Sequence, residues 1–184
     1  TRFMSVRGLG DVYKRQAYNR VEWMEMYAGL ARAGLVAVPL NFRLMTAEID
    51  YILGHSGAVA MIVQDELIER VEPLRAKLNL PSKVFVALGE TAIEGWTSYE
   101  QILATAPLSV PPVNVLPSDM SALMYTSGTT GRPKGAVRSH EGSSLIALAT
   151  ALEMGFKAQD SALLVMPMCH ANSLYFSHTF TQLG

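Results

Sequence analysis

Met124–His140 reads MYTSGTTGRPKGAVRSH. The apolar run ALMY, residues 122–125, leads in, and Ala136-Val137 leads out. Between them, Ser127–Gly135 packs three glycines, two adjacent threonines, a serine, an arginine, a proline and a lysine into nine residues. Glycine reaches backbone angles closed to other residues, so such a loop can turn tightly and bring N–H groups to a ligand. Hydroxyls and a lysine among those amides suit phosphate oxygens. The stretch therefore predicts a strand, a phosphate-binding loop and a second strand.

That order matters. A Walker loop needs Gly-Lys-[Ser/Thr] opening a helix. Here Lys134 stands three residues after Gly131, with Arg132 and Pro133 between, and Gly135 follows. Ala136-Val137 suits a strand better than a helix start. The kinase- and GTPase-type loop is therefore excluded. The plain alternative is a flexible Gly/Ser/Thr hairpin turn.

Outward from the loop, the chain alternates helix and strand patterns. Asn19 with Glu22 resembles a capping box, and Trp23, Tyr27, Leu30 and Ala31 give one apolar helical face that ends at Gly34. We read that stripe as core. LVAVPL at 35–40 is a buried strand. Thr46 is placed to cap a second helix with Ile49, Ile52 and Leu53 inward, closed by Gly57. VAMIV at 59–63 is a second strand. Asp65 begins a helical stretch through Leu78 that Pro73 must kink or divide. Val84–Leu88 is a third strand. Thr97 and Glu100 form a second capping box, for a helix to about Ala104. Pro107, Pro111, Pro112 and Pro117 mark an extended connection to the strand Ser121–Thr126. Beyond the loop, Ser139 can cap a helix to about Met154, and its uncharged stretch from Gly142 to Leu152 predicts burial on most sides. Ser161–Met166 is expected as a strand. Arg132 and Arg138 are expected to face solvent. Apolar strands without polar alternation, separated by helices, predict an α/β fold built mainly on a parallel sheet covered on both faces.

Residues 1–16, TRFMSVRGLGDVYKRQ, show no helical or strand period. We expect a non-native or disordered leader there, with the patterned domain over 17–184. Apolar residues make up 49 % and charged residues 17 %, with a net charge of −1. Nothing argues for a nucleic-acid partner. Cys169 is the one cysteine, so an internal disulfide is excluded, in keeping with a reducing cytoplasm. No apolar run approaches the ~20 residues of a membrane span, which leaves room for peripheral association only.

YTSGTTGRPKGAVRSH at 125–140 resembles the phosphate loop of the adenylate-forming superfamily, the AMP-forming acyl-CoA synthetases. These include fatty-acyl-CoA and 4-coumarate-CoA ligases, firefly luciferase and peptide-synthetase adenylation domains. VMPMCH at 165–170 resembles the family's Pro-Met/Leu-aromatic-His segment. NRVEWMEMYAGLARAGLVAVPLNFRLMTAEIDYILGHSGA at 19–58 is similar to its N-terminal region. The wording is most like bacterial fatty-acid ligases.

The resemblance implies a reaction. A carboxylate attacks the α-phosphorus of ATP, pyrophosphate leaves, and a thiol, usually CoA, then takes the acyl group. It implies that Thr126, Ser127, Gly128, Thr129, Thr130, Gly131 and Lys134 contact ATP phosphates, with Lys134 the decisive charge. It implies that His170 lies near the carboxylate and the phosphates, and that Asn172 lines the acyl pocket. A histidine after an apolar segment also has a plainer reading, as a satisfied core or surface residue, and Lys134 as a solvated surface lysine. Cys169 departs from the family's aromatic residue. It has no base partner in the sequence, so it is read as packing and not as a nucleophile. The family's Mg²⁺ and adenine contacts, and a C-terminal lysine, belong to segments beyond these residues. The expected substrate is a fatty or related carboxylic acid. The expectation is an incomplete adenylation domain, inactive by itself and with apolar surface left open near Leu145. The alternatives are a carrier-protein-dependent adenylation domain and a short, non-catalytic nucleotide- or partner-binding protein.

Overall fold

The computed structural model describes residues 12–78, 84–109, 113–126 and 132–184. The strands among them are β1 (Val12–Gln16), β2 (Val36–Leu40), β3 (Ala58–Gln64), β4 (Phe85–Leu88), β5 (Thr97–Ser98), β6 (Met120–Thr126) and β7 (Lys134–Ser139). The helices are α1 (Glu22–Arg32), α2 (Thr46–Ser56), α3 (Glu72–Leu78), α4 (Tyr99–Thr105), α5 (His140–Met154) and α6 (Ala171–Leu183), with a 3-10 segment over Asp65–Arg70. One sheet runs in the order β5-β4-β3-β1-β2-β6-β7. Every neighbouring pair is parallel except β6 with β7. The α/β class with a mainly parallel sheet is as the sequence predicts.

Strand period two sorts the core onto the two faces. Val36, Val38, Leu40, Met61, Val63, Phe85 and Ala87 join Ile49, Ile52, Leu53 and Leu74 on the α2–α3 face. Ala37, Val86, Leu88, Ala122 and Met124 join Trp23, Tyr27, Leu30 and Leu174 on the α1–α6 face. Leu123 and Tyr125, the alternate residues of β6, pack against the α2–α3 cluster. That alternation points Tyr125 at α2.

Local signals set several boundaries. Pro73 divides the helical stretch, which becomes the 3-10 segment followed by α3. Gly57 and Gly155 end α2 and α5 in the left-handed region at φ 61° and 68°, where a side chain is strained. The Ser139 hydroxyl accepts the Gly142 N–H at 3.0 Å and starts α5 as expected.

Other expectations are corrected. Val12–Gln16, expected outside the fold, is β1, paired on both edges to β2 and β3; residues 1–11 lie outside the described residues. Asn19 does not cap α1, because its amide is engaged elsewhere and Glu22 pairs with Arg20 at 2.6 Å. Met45 is the cap position of α2, its N–H donating to the Glu48 carboxylate at 2.9 Å, while the Thr46 hydroxyl donates to the Arg70 carbonyl. Ser98, not Thr97, caps α4. Ser161–Met166 is irregular and largely exposed, since no strand of the sheet pairs with it. In α5 only Ala147 and Ala151 are buried, and Leu145, Leu148 and Leu152 are exposed. The small alanines face α6, and the leucines turn outward. Arg138 lies 4.5 Å above the Tyr175 ring and is not simply solvated.

A cavity of about 220 Å³ between α1, β6, α5 and α6 is lined by His140 and His178, with Ser121, Ser143, Thr181 and Gln182 among its walls. His140 Nε2 is buried with no hydrogen-bond partner among the described residues. Burial lowers the pKa of both imidazoles. His140 lowers His178 further, and Asp119 opposes part of the effect on His140. The unfolded chain therefore takes up these protons first. The contribution to stability is full above the ordinary histidine value of about 6.5 and is lost as pH falls below it. The expected result is a lower melting temperature at pH 5.5 than at pH 7.5. His140→Gln with His178→Gln should flatten that difference, and a double variant with the wild-type pH dependence would remove these histidines as its cause.

Candidate active site

The site is built at the carboxyl end of β6, the edge where open α/β sheets bind ligands. β6 and β7 form an antiparallel pair in which Thr126 stands opposite Lys134, Tyr125 opposite Gly135 and Met124 opposite Ala136. The loop between them is thus closed at its base by paired strands. This is the strand–loop–strand arrangement the sequence predicts. Thr126 and Lys134 are both exposed at that base. No carboxylate lies within ion-pair distance of Lys134 among the described residues. Ser127, Gly128, Thr129, Thr130 and Gly131 lie outside the described residues. Arg132 is exposed, as expected.

His170 is the cap residue of α6. Its Nδ1 accepts the backbone N–H of Asn172 at 3.3 Å. An accepting Nδ1 leaves the proton of the neutral ring on Nε2. The exposed edge of the ring therefore offers a donor, suited to a carboxylate or phosphate oxygen. Asn172 is exposed in the first turn of the same helix. Cys169 is half-buried, and burial raises its thiol pKa, in keeping with packing and not with nucleophilic chemistry.

The segment before His170 is held by residues far away in sequence. The Asn19 side-chain amide donates to the carbonyls of Met166 at 2.9 Å and Leu164 at 3.4 Å, and its oxygen accepts the Met168 N–H at 2.7 Å. The Tyr27 hydroxyl donates to the Met168 carbonyl at 3.2 Å, and the nearby Ser173 adds a local bond, its hydroxyl donating to the Met166 carbonyl at 2.6 Å. Asn19 needs both its donor and its acceptor there. Asn19→Asp keeps the acceptor and faces two carbonyls with a carboxylate. It should cost about 1–2 kcal/mol and speed amide exchange across 164–170. Asn19→Asp with wild-type exchange in that segment would refute the assignment.

Comparison with known proteins agrees with this architecture. A parallel sheet bearing a Gly/Thr/Ser-rich loop between β6 and an antiparallel β7 defines the amino-terminal part of an adenylate-forming domain. The chain belongs to the AMP-binding enzyme family, which matches residues 10–184. It is 34 % identical over 179 residues to the long-chain-fatty-acid–CoA ligase of Thermus thermophilus, covering 96 % of this chain and 32 % of that protein. A crystal structure of a long-chain-fatty-acid–CoA ligase from Archaeoglobus fulgidus superposes with TM-score 0.84 at 24 % identity, over 95 % of this chain and 34 % of that one. The ATP-bound MatB of Rhodopseudomonas palustris superposes with TM-score 0.81 at 26 % identity, over 96 % of this chain and 34 % of that one. The chain spans about a third of the length of the relatives it matches.

Among the described residues no group of three or more His, Cys, Asp or Glu is placed to hold a metal ion. No helix among them is long and apolar enough to cross a membrane.

Proposed function

We propose that this chain carries the phosphate-binding part of an AMP-forming carboxylate–CoA ligase acting on a fatty or related carboxylic acid in the cytoplasm. The observation that carries the reading is the β6–β7 pair, which sets the exposed ammonium of Lys134 across from Thr126 at the mouth of a Ser/Thr/Gly loop. In the reaction, a carboxylate oxygen bonds to the α-phosphorus of ATP and the Pα–O bond to pyrophosphate breaks. Negative charge gathers on the departing β- and γ-phosphates. A fixed ammonium and fixed hydroxyl donors lower the barrier where that charge develops. Lys134, Thr126 and the loop residues Ser127, Gly128, Thr129, Thr130 and Gly131 take that role. His170 Nε2–H orients the carboxylate or a phosphate oxygen, and Asn172 lines the acyl pocket. A CoA thiol then attacks the acyl carbonyl and AMP leaves. Mg²⁺ would accompany ATP, neutralising phosphate charge. By the family resemblance, the protein ligands of that ion lie mostly in segments beyond these residues.

The test is carboxylate-dependent exchange of labelled pyrophosphate into ATP by the full-length gene product. The expected products with CoA are AMP and pyrophosphate. Release of ADP and phosphate would overturn the reading.

A further inference from the structure

Two residues of α2 grip both sides of the β6–β7 base. His55 Nδ1 and the Tyr125 hydroxyl are 2.7 Å apart. Tyr51, one turn earlier, donates its hydroxyl to the Pro133 carbonyl at 3.4 Å. Residues i and i+4 share a helix face, and here the two rings stack with centroids 5.5 Å apart. The Tyr125 ring meets His55 edge-on at 5.8 Å. The Arg132 guanidinium lies 5.9 Å over the Tyr51 ring. Gly135 is part of the same arrangement. A Cβ there would sit 3.3 Å from the Tyr125 ring and 2.9 Å from Leu123, so glycine lets the tyrosine ring lie across β7. One helix thus holds the last turn-out of β6 at Tyr125 and the entry to β7 at Arg132-Pro133.

We propose that Tyr51 and His55 are positioning residues for Lys134. Pro133 precedes Lys134, and Tyr125 precedes its cross-strand partner Thr126, so fixing the first pair fixes the second. A lysine ammonium on a flexible stem loses less entropy on binding phosphate when its backbone is already held. The inference rests on the phosphate-binding reading of the loop. His55 is exposed, so replacing it opens no core cavity.

The experiment uses the full-length gene product, its His55→Ala, His55→Asn and Tyr51→Phe variants, and Lys134→Ala as reference. Amide exchange is followed at 125–126 and 134–135, and MgATP binding by ligand-observed NMR titration. His55→Ala should speed exchange at those amides and weaken MgATP about three- to tenfold, the effect of one hydrogen bond. Tyr51→Phe should act in the same direction, and His55→Asn, which can still bond the Tyr125 hydroxyl, should restore most of the loss. Wild-type exchange and affinity in His55→Ala would overturn the proposal. So would faster exchange with unchanged affinity, since the contact would then only brace the sheet. If Lys134→Ala binds MgATP as well as wild type, the phosphate-binding reading fails and the proposal falls with it. The exchange data would still record whether α2 holds the strands.

Discussion

Lys134→Ala in the full-length gene product is expected to lower carboxylate-dependent pyrophosphate exchange by about 10²–10³-fold, the usual cost of removing one preorganised charge stabiliser. The residue opens β7, is exposed, and stands opposite Thr126 at the foot of the loop. Its charge has no nearby carboxylate among the described residues to neutralise it. Charge on the leaving pyrophosphate grows toward the transition state, so the loss should fall mainly on kcat and less on the KM for ATP. Lys134→Arg should recover part of the rate, because a planar guanidinium keeps the charge but not the compact point donor. An exposed lysine at a strand start contributes little to packing, so the melting temperature should stay near wild type. Unchanged exchange in Lys134→Ala would remove this residue from the mechanism.

Trp23→Ala is the substitution with the largest expected effect on folding, about 3–5 kcal/mol. Trp23 is fully buried at 0 % exposure within the α1–α6 face of the core. Its ring packs 5.7 Å from Tyr27, and its Nε1–H donates to the Tyr18 carbonyl at 2.8 Å. Truncation leaves a cavity and an unpaired carbonyl near the exit of β1. Urea unfolding followed by tryptophan-independent circular dichroism measures the loss, and Trp23→Phe should restore part of it by refilling the volume. A loss under about 1 kcal/mol, the scale of an ordinary surface change, would show that α1 is not held by this residue. Because Tyr27 also bonds the Met168 carbonyl, loosening α1 should also disturb the segment that ends in His170.

Much of the fold was legible from short-range chemistry. Gly57 could only close α2, Pro73 could only interrupt a helix, and Ser139 had the right spacing to start α5. The β6–loop–β7 order followed from Ala136-Val137 after Gly135, where a Walker loop would have begun a helix. The candidate site was legible in its residue types, since Lys134, Thr126 and His170 all came from the sequence. Their support was not. Asn19 with Glu22 has the spacing of a capping box, yet the Asn19 amide bonds residues 164–168, roughly 145 positions away. A side-chain amide, which both donates and accepts, fits either use, and local spacing cannot choose between them. Tyr125 opens the loop motif, but nothing in that motif says what its hydroxyl bonds, and the i, i+4 spacing of Tyr51 and His55 hinted only at a shared face.

What the sequence determined by itself is therefore what neighbouring residues decide: backbone angles at glycine and proline, the Ser139 cap of α5, strand alternation and the chemistry offered by the loop. Tertiary structure decided the rest. It turned Leu145, Leu148 and Leu152 outward where an uncharged helix predicted burial, left Ser161–Met166 without a strand partner, and drew the Asn19 amide away from α1 to Met166 and Met168. The physical reason is the same in each case. Burial and pairing depend on which distant element arrives alongside, and the sheet order that brings α2 against β6 and Asn19 against Met168 is set only when the chain closes around its two cores.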